Sequence, residues 1–312
     1  MANYKVSQDL HTARDYLRWA LSYFNREELF FGHGTDNGLD EALVLVLHAL
    51  NLDHNVPENL LDSRLTAPEK VELETLIRRR VEERIPAAYL TQQAWFAGLS
   101  FYVDERVLVP RSPIAELIES GFQPWVAEES VSNVLDLCTG SGCIALACAV
   151  HFPDAKVDAA DLSSDALDVA KLNRQKLKLE SRVELIQSDL FSELDGRRYD
   201  LIVSNPPYVD RADFDGMPKE YRHEPELGLV AGDDGLKLVR IMLAKACDYL
   251  VPGGIMVVEV GNSAGALVET FPTVPFTWIE FERGGDGVFL IEQEQIKANR
   301  SVFENALESG NE

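Results

Sequence analysis

Cysteine is scarce, with 4 residues in 312, which argues against a disulfide framework and for a reducing compartment. Cys138, Cys143 and Cys148 recur every five positions among Ala, Ile and Leu. That is not a zinc-ligand pattern, so they read as small core residues. The 6 histidines are scattered, without an HExxH arrangement, and no metal site is expected. No apolar run reaches the ~20 residues that span a bilayer, and Met1-Ala2-Asn3-Tyr4-Lys5 lacks a secretory core. A cytoplasmic protein without membrane association is expected. Positive charge is also in deficit: 29 Lys and Arg face 52 Asp and Glu, for a net −23. Proteins that grip nucleic acid gain most of their affinity from cations on phosphates, so stable nucleic-acid binding is not expected. A basic protein partner fits better, although acidity also serves solubility alone.

What remains, 46% hydrophobic and 26% charged, is globular and long enough for two domains. The first 90 or so residues read as helical. Leu10, Ala13, Leu17, Ala20, Leu21 and Phe24 share one helical face, and the run from Leu39 to Leu52 is apolar nearly all round. Thr66 and Glu69 have the spacing of a capping box, with Pro68 in the first turn, and Pro86 ends or kinks that third helix. Three such helices make a small bundle suited to partner recognition.

From Trp95 to Pro110 the period changes. Phe101, Val103, Val107 and Val109, with Asp104-Glu105 between them, predict a hairpin linker. Beyond Asn133, strand-like runs at 134–138, 156–161, 182–187, 200–204 and 254–260 alternate with helix-like ones. This predicts an α/β, mostly parallel, doubly wound sheet with its site at the carboxyl ends of the strands. Runs at 276–282 and 287–292, around Arg283-Gly284-Gly285-Asp286, read as a hairpin bringing an antiparallel strand into the sheet. The last residues are polar and acidic and predict a loosely held tail.

Strand one enters Asp136-Leu137-Cys138-Thr139-Gly140-Ser141-Gly142-Cys143. Glycines at a strand-to-helix turn admit a ligand close to the backbone, and the following helix exposes free N–H groups. Strand two ends at Asp161, where a carboxylate can accept from both ribose hydroxyls. This pair indicates a nucleoside cofactor and would equally suit a dinucleotide. After strand three, Asp189 is placed to accept from an adenine amino group, with Leu190 against the ring. After strand four comes Asn205-Pro206-Pro207-Tyr208. A conjugated NH2 group is a poor nucleophile because its lone pair is delocalised. The Asn205 side-chain oxygen and the Pro206 carbonyl can accept its two hydrogens, the prolines fix the backbone, and Tyr208 can pack on the flat group. Each residue alone is an ordinary cap or turn residue; together they form a set at successive strand ends.

The order of these elements resembles the Rossmann-like, seven-stranded methyltransferases that use S-adenosylmethionine, and Asn-Pro-Pro-Tyr resembles their nitrogen-methylation motif. The resemblance implies S-adenosyl-L-methionine as donor, S-adenosyl-L-homocysteine as product and no metal. It implies catalytic roles for Asn205, Pro206 and Tyr208, and substrate contacts from Asn205, Pro206, Pro207, Tyr208 and Arg111. Cofactor contacts would come from Asp136, Thr139, Gly140, Ser141, Gly142, Asp161, Asp189, Leu190 and Asn205. Cys138 stands where the wider family often has Gly, which predicts a slightly different turn.

The clamp suits an adenine or guanine exocyclic amine as well as a glutamine amide. Arg84-Ile85-Pro86-Ala87-Ala88-Tyr89-Leu90, Trp95-Phe96-Ala97-Gly98, Phe101-Tyr102-Val103 and Val107-Leu108-Val109-Pro110-Arg111 resemble the linker of the protein-glutamine N-methyltransferase family. The release-factor branch continues with Pro-Glu-Thr-Glu. Here Ser112-Pro113-Ile114-Ala115-Glu116-Leu117-Ile118 follows, which resembles the branch that modifies a glutamine of large-subunit ribosomal protein three, free before ribosome assembly. The implied plan is a helical substrate-recognition domain over 1–90, a hairpin linker over 91–111, a methyltransferase domain over 112–295 and an acidic tail over 296–312. A ribosomal-RNA amino methyltransferase and a release-factor glutamine methyltransferase stay open as alternatives, as does a noncatalytic S-adenosylmethionine-binding protein or ribosome-assembly chaperone. Arg111 either closes a salt bridge or lies beside the ligands. The polar connection after Tyr208, with Arg211, Arg222 and His223, either closes over substrate or is a surface excursion.

Overall fold

A computed structural model describes residues 6–309. They form two compact units, one from the chain up to Ala94 with Pro218–His223, the other from Trp95–Met217 and the chain from Glu224 onward. In the first unit, helices Ala13–Arg26, Gly38–Ala49 and Ala67–Glu82 each begin where a polar side chain can accept the first free N–H groups. Thr12 and Asp15 form a capping box, Asn37 accepts from Leu39 and Asp40, and Thr66 with Glu69 forms the capping box expected from the sequence. The core is apolar, with Tyr16, Phe24, Leu45, Val46, Leu73 and Ile77 fully enclosed. Helix Ala67–Glu82 ends ahead of Pro86, and Pro86 precedes a short helix, Ala87–Thr91.

Within this core Arg80 is buried and charged. It pairs with Glu41 and Glu220 and donates to the Phe30 carbonyl at 2.8 Å. Arg84 donates to the Glu27 carbonyl at 2.7 Å and reaches Glu220 at 3.4 Å. Glu220 lies in Pro218–His223, so a piece of the connection downstream of Tyr208 completes the charge balance of the helical unit.

A hairpin of β1 (Ala94–Phe96) and β2 (Leu99–Phe101) opens the second unit. Its turn is Ala97-Gly98, with φ of 46° and 73°, the left-handed pair of a tight two-residue hairpin. The turn expected at Asp104-Glu105 is a different structure. Asp104 accepts from the Arg106 backbone and guanidinium and from the Tyr102 hydroxyl. Val103, Val107 and Val109 are buried without forming strands.

The main sheet contains β3 (Asn133–Leu137), β4 (Lys156–Asp161), β5 (Val183–Gln187), β6 (Tyr199–Ser204), β7 (Leu250–Glu259), β8 (Thr277–Trp278) and β9 (Val288–Glu292). Their order is β5-β4-β3-β6-β7-β9-β8, with β9 antiparallel to both neighbours and the other pairings parallel. The chain starts in the middle at β3, builds outward to β5, then returns to β6 on the other side. That reversal leaves a crevice beyond the carboxyl ends of β3 and β6. Apolar layers cover both faces, one around Phe101, Phe122, Ile144 and Phe152, the other around Phe191, Leu243, Phe271 and Phe289.

The expected acidic tail is corrected. Helices Gln293–Ala298 and Arg300–Ser309 pack on the sheet unit. Ile296 and Phe303 are fully buried, with Phe303 edge-on to Phe271 at 5.2 Å, and Arg300 makes a paired contact with Asp248 at 2.9 Å. A polar outer face of mixed charge, with Glu294, Lys297, Arg300 and Glu304 exposed, masked a sparse apolar stripe, which packing favours over solvation.

Candidate active site

Asp136 on β3 is fully buried, under helix Cys143–His151. One carboxylate oxygen accepts from the Thr139 hydroxyl and from the Ala145 N–H at 3.0 Å, while Oδ1 is buried with no protein partner among the described residues. Burial pushes this carboxyl up to about 7, aided by the charge of Asp161 and opposed by the bonds from Thr139 and Ala145. The turn then passes through Cys138, Gly140 and Gly142, all with positive φ. Cys138 therefore adopts a conformation natural to the glycine often found there. Ser141 is buried, and its carbonyl accepts from Asn173 Nδ2 at 2.9 Å.

Asp161 ends β4 and reaches back to that turn. Its Oδ2 accepts from the Gly140 N–H at 2.8 Å and its Oδ1 from the Ser163 N–H at 2.9 Å. Burial raises its pKa despite these bonds. Asp189, beyond β5, is exposed, and Leu190 beside it is buried with φ of 50°.

Asn205-Pro206-Pro207-Tyr208 continues β6. Both prolines are buried, and the half-buried Asn205 amide makes no hydrogen bond among the described residues. Tyr208 is held at both ends: its hydroxyl donates to Glu259 Oε1 at 2.9 Å and its carbonyl accepts from the Ser263 hydroxyl at 2.8 Å. The ring is pressed against Gly261, where an added Cβ would lie 2.5 Å from Tyr208 Cε2. Glu259 is buried, and its other oxygen accepts from the Ser112 hydroxyl at 2.5 Å. Burial raises this carboxyl, against the Ser112 and Tyr208 bonds and the nearby Arg111 charge.

The sequence reading did not single out Glu259 or Glu224. A charge closing the apolar run 255–258 was the available signal for Glu259, because a doubly covered strand is otherwise apolar. Arg111 lies in a two-pronged salt bridge with Glu224, at 2.6 and 2.7 Å, and Glu224 also accepts from the Val109 N–H at 3.0 Å. Ser112 and Arg111 are thus adjacent residues tied to two different buried carboxylates.

The crevice and the residues around it define a methyltransferase. The family model of the Methyltransferase small domain matches residues 124–217. The hMettl16 catalytic domain in complex with an RNA hairpin shares the fold at a TM-score of 0.50 and 18% identity, over 74% of this chain and 84% of that one. The ribosomal protein uL3 glutamine methyltransferase of Neisseria gonorrhoeae is 52% identical over 94% of this chain and 98% of its own length. That of Francisella tularensis is 48% identical over 96% and 95%. The chain belongs to the family of the ribosomal protein uL3 glutamine methyltransferases.

The residues present fit an S-adenosylmethionine donor. Asp136 Oδ1 is a buried acceptor with capacity to spare, and a Cβ placed on Gly140 would meet nothing within 4 Å, so the turn is open to a ligand. Each Asp161 oxygen retains a further lone pair for a hydroxyl donor.

Proposed function

We propose that the protein methylates the side-chain amide nitrogen of a glutamine in ribosomal protein uL3, using S-adenosyl-L-methionine, before uL3 enters the ribosome. The observation that carries the chemistry is the Asn205 amide at the end of β6, without a hydrogen-bond partner among the described residues, beside a Tyr208 ring fixed at its hydroxyl. The substrate follows from the names of relatives at about half identity along nearly the whole chain. The net charge of −23 supports a free, basic ribosomal protein as the form encountered.

When bound, S-adenosylmethionine supplies an electrophilic methyl group on its sulfonium and leaves as S-adenosylhomocysteine. Asp161 and Asp189 would hold the ribose and adenine ends, with Leu190 against the ring. Asp136 and the turn Thr139-Gly140-Ser141-Gly142 would line the rest. Asn205 Oδ1 and the Pro206 carbonyl accept the two amide hydrogens, which aims the nitrogen lone pair out of the clamp. The Tyr208 ring packs on the amide plane and keeps it from rotating. Such alignment can lower a barrier by about 7 to 11 kcal/mol. The amide proton becomes acidic as nitrogen gains the methyl group, so water suffices to remove it. Arg111, anchored by Glu224, borders the substrate.

The test is incubation with labelled S-adenosylmethionine and three acceptors: free uL3, a release factor and ribosomal RNA, with the label located by peptide mass mapping. Label on one uL3 glutamine is expected. Label confined to RNA or to the release factor defeats the proposal.

A further inference from the structure

We infer that Glu259 is a positioning residue that acts through Tyr208, its carboxylate holding the ring that packs on the acceptor amide and tying that ring to Ser112. The inference rests on the glutamine-amide reading of the site. β6 and β7 run parallel in the register Ser204↔Val258, so the next residues along the two strands are Asn205 and Glu259. The polar clamp and the buried carboxylate therefore leave the sheet side by side. Glu259 accepts from Tyr208 at 2.9 Å and from Ser112 at 2.5 Å.

The rest of Tyr208 is already confined. Ser263 holds its carbonyl, and the Gly261 backbone blocks one side of the ring. The hydroxyl contact adds a restraint at the far end of the ring, against the swing about the Cα–Cβ bond. Burying a carboxylate is costly without strong partners. The cation whose charge is felt nearby, Arg111, spends both prongs on Glu224. The hydrogen bonds to Glu259 come from two neutral hydroxyls, one on Tyr208 and one on Ser112. A purely structural strand end would be served better by an apolar side chain.

Single-turnover methylation of free uL3 at saturating S-adenosylmethionine tests this with Glu259→Ala, Glu259→Gln, Tyr208→Phe and the Glu259→Ala/Tyr208→Phe pair. Glu259→Ala is expected to slow the chemical step about ten- to a hundredfold, with donor affinity and the apparent KM for uL3 within about twofold of wild type. Gln can still accept one hydroxyl and donate to the other, so it should restore most of the rate. In the Tyr208→Phe background, Glu259→Ala should cost less than about twofold further. A full loss in that background, a loss carried by KM, or a wild-type rate in Glu259→Ala overturns the inference. Should Glu259→Ala not fold, Tyr208→Phe alone decides, since a wild-type rate there means the hydroxyl contact does nothing.

If the wild-type protein does not methylate uL3, the glutamine reading fails first. The Tyr208 hydroxyl proton then carries the test by NMR. A slowly exchanging signal in wild type that is lost in Glu259→Leu supports the contact; its absence in wild type, or its persistence in Glu259→Leu, overturns it.

Discussion

Replacing Asp136 by Asn should make stability less sensitive to alkali, and the sign follows from the buried geometry. The carboxyl sits fully enclosed, with Oδ1 unpartnered among the described residues, and burial lifts it to about 7 from an ordinary 3.8. The folded chain therefore keeps a proton that the unfolded chain has lost between those two values. Stability is full below the unfolded pKa and declines as pH rises through the folded one, by about 4 kcal/mol at most for a fully buried group. Asn is neutral at every pH and can still accept from Thr139 and Ala145. Its Nδ2 takes the place of Oδ1, at a cost that does not vary with pH. That constant cancels when the wild-type-to-variant difference is compared across pH. The gap should widen in favour of Asn by roughly 2 to 3 kcal/mol between about pH 5 and pH 8.5. For a unit of this size that is on the order of 5 °C or more in Tm. Thermal unfolding of the ligand-free proteins, followed by circular dichroism at both values, reads it directly. A gap that stays constant, or that closes as pH rises, would refute the reasoning.

Asn205→Ala should lower single-turnover methylation on the order of a hundredfold or more, while calorimetry finds the donor still bound; wild-type turnover would exclude the amide clamp. Arg80→Ala strips buried Glu41 of its guanidinium and leaves Glu220 to Arg84 in the helical unit, and denaturant unfolding should register a loss of about 3 to 5 kcal/mol. Phe303→Ala should cost about 3 to 5 kcal/mol, because this side chain is fully enclosed against Phe271; a negligible loss would mean that the last helix is dispensable. Gly261→Ala puts a Cβ into the Tyr208 ring at a residue with φ of 46°. It should cost at least about 1 to 2 kcal/mol and slow methylation more than it weakens donor binding.

The parallel strands were legible because β3, β4, β5 and β6 carry short runs rich in Val, Ile, Leu and Ala between clear turns, and the crevice follows from their alternation with helices. The hairpin was misplaced because Val103, Val107 and Val109 alternate like a strand. Burial alone explains that alternation, while the turn itself needed only Ala97 and Gly98 to take positive φ. The final helices were missed because their fully buried apolar residues, Ile296 and Phe303, lie seven residues apart in a stretch of mostly polar and charged side chains, too sparse a stripe to stand out. Asp136, Asp161, Asn205 and Tyr208 were singled out because each lies at or just past the carboxyl end of an apolar strand. Glu259 and Glu224 were not, since their partners Ser112, Tyr208 and Arg111 lie 51 to 147 and 113 positions away, beyond any local pattern.

The distribution of satisfied and unsatisfied groups separates scaffold from ligand surface at this site. Asp161, Glu224 and Glu259 each hold two or more protein donors, and Tyr208 is tied at both ends. These contacts fix the shape of the crevice before anything binds. Against that background, the Asn205 amide and Asp136 Oδ1 lack protein partners among the described residues. Leaving a buried polar group such as Asp136 Oδ1 unmade costs about 1 to 3 kcal/mol, and a fold with dozens of paired side chains could have closed it. Under the proposed function the acceptor amide completes Asn205, and the donor molecule lies along the turn beside Asp136, whose Oδ1 is enclosed. On that reading, binding supplies Asn205 with its partners, and the energy recovered there comes in the geometry that aims the nitrogen. The rigid contacts around Tyr208 then decide how much of that recovered energy becomes alignment rather than affinity alone.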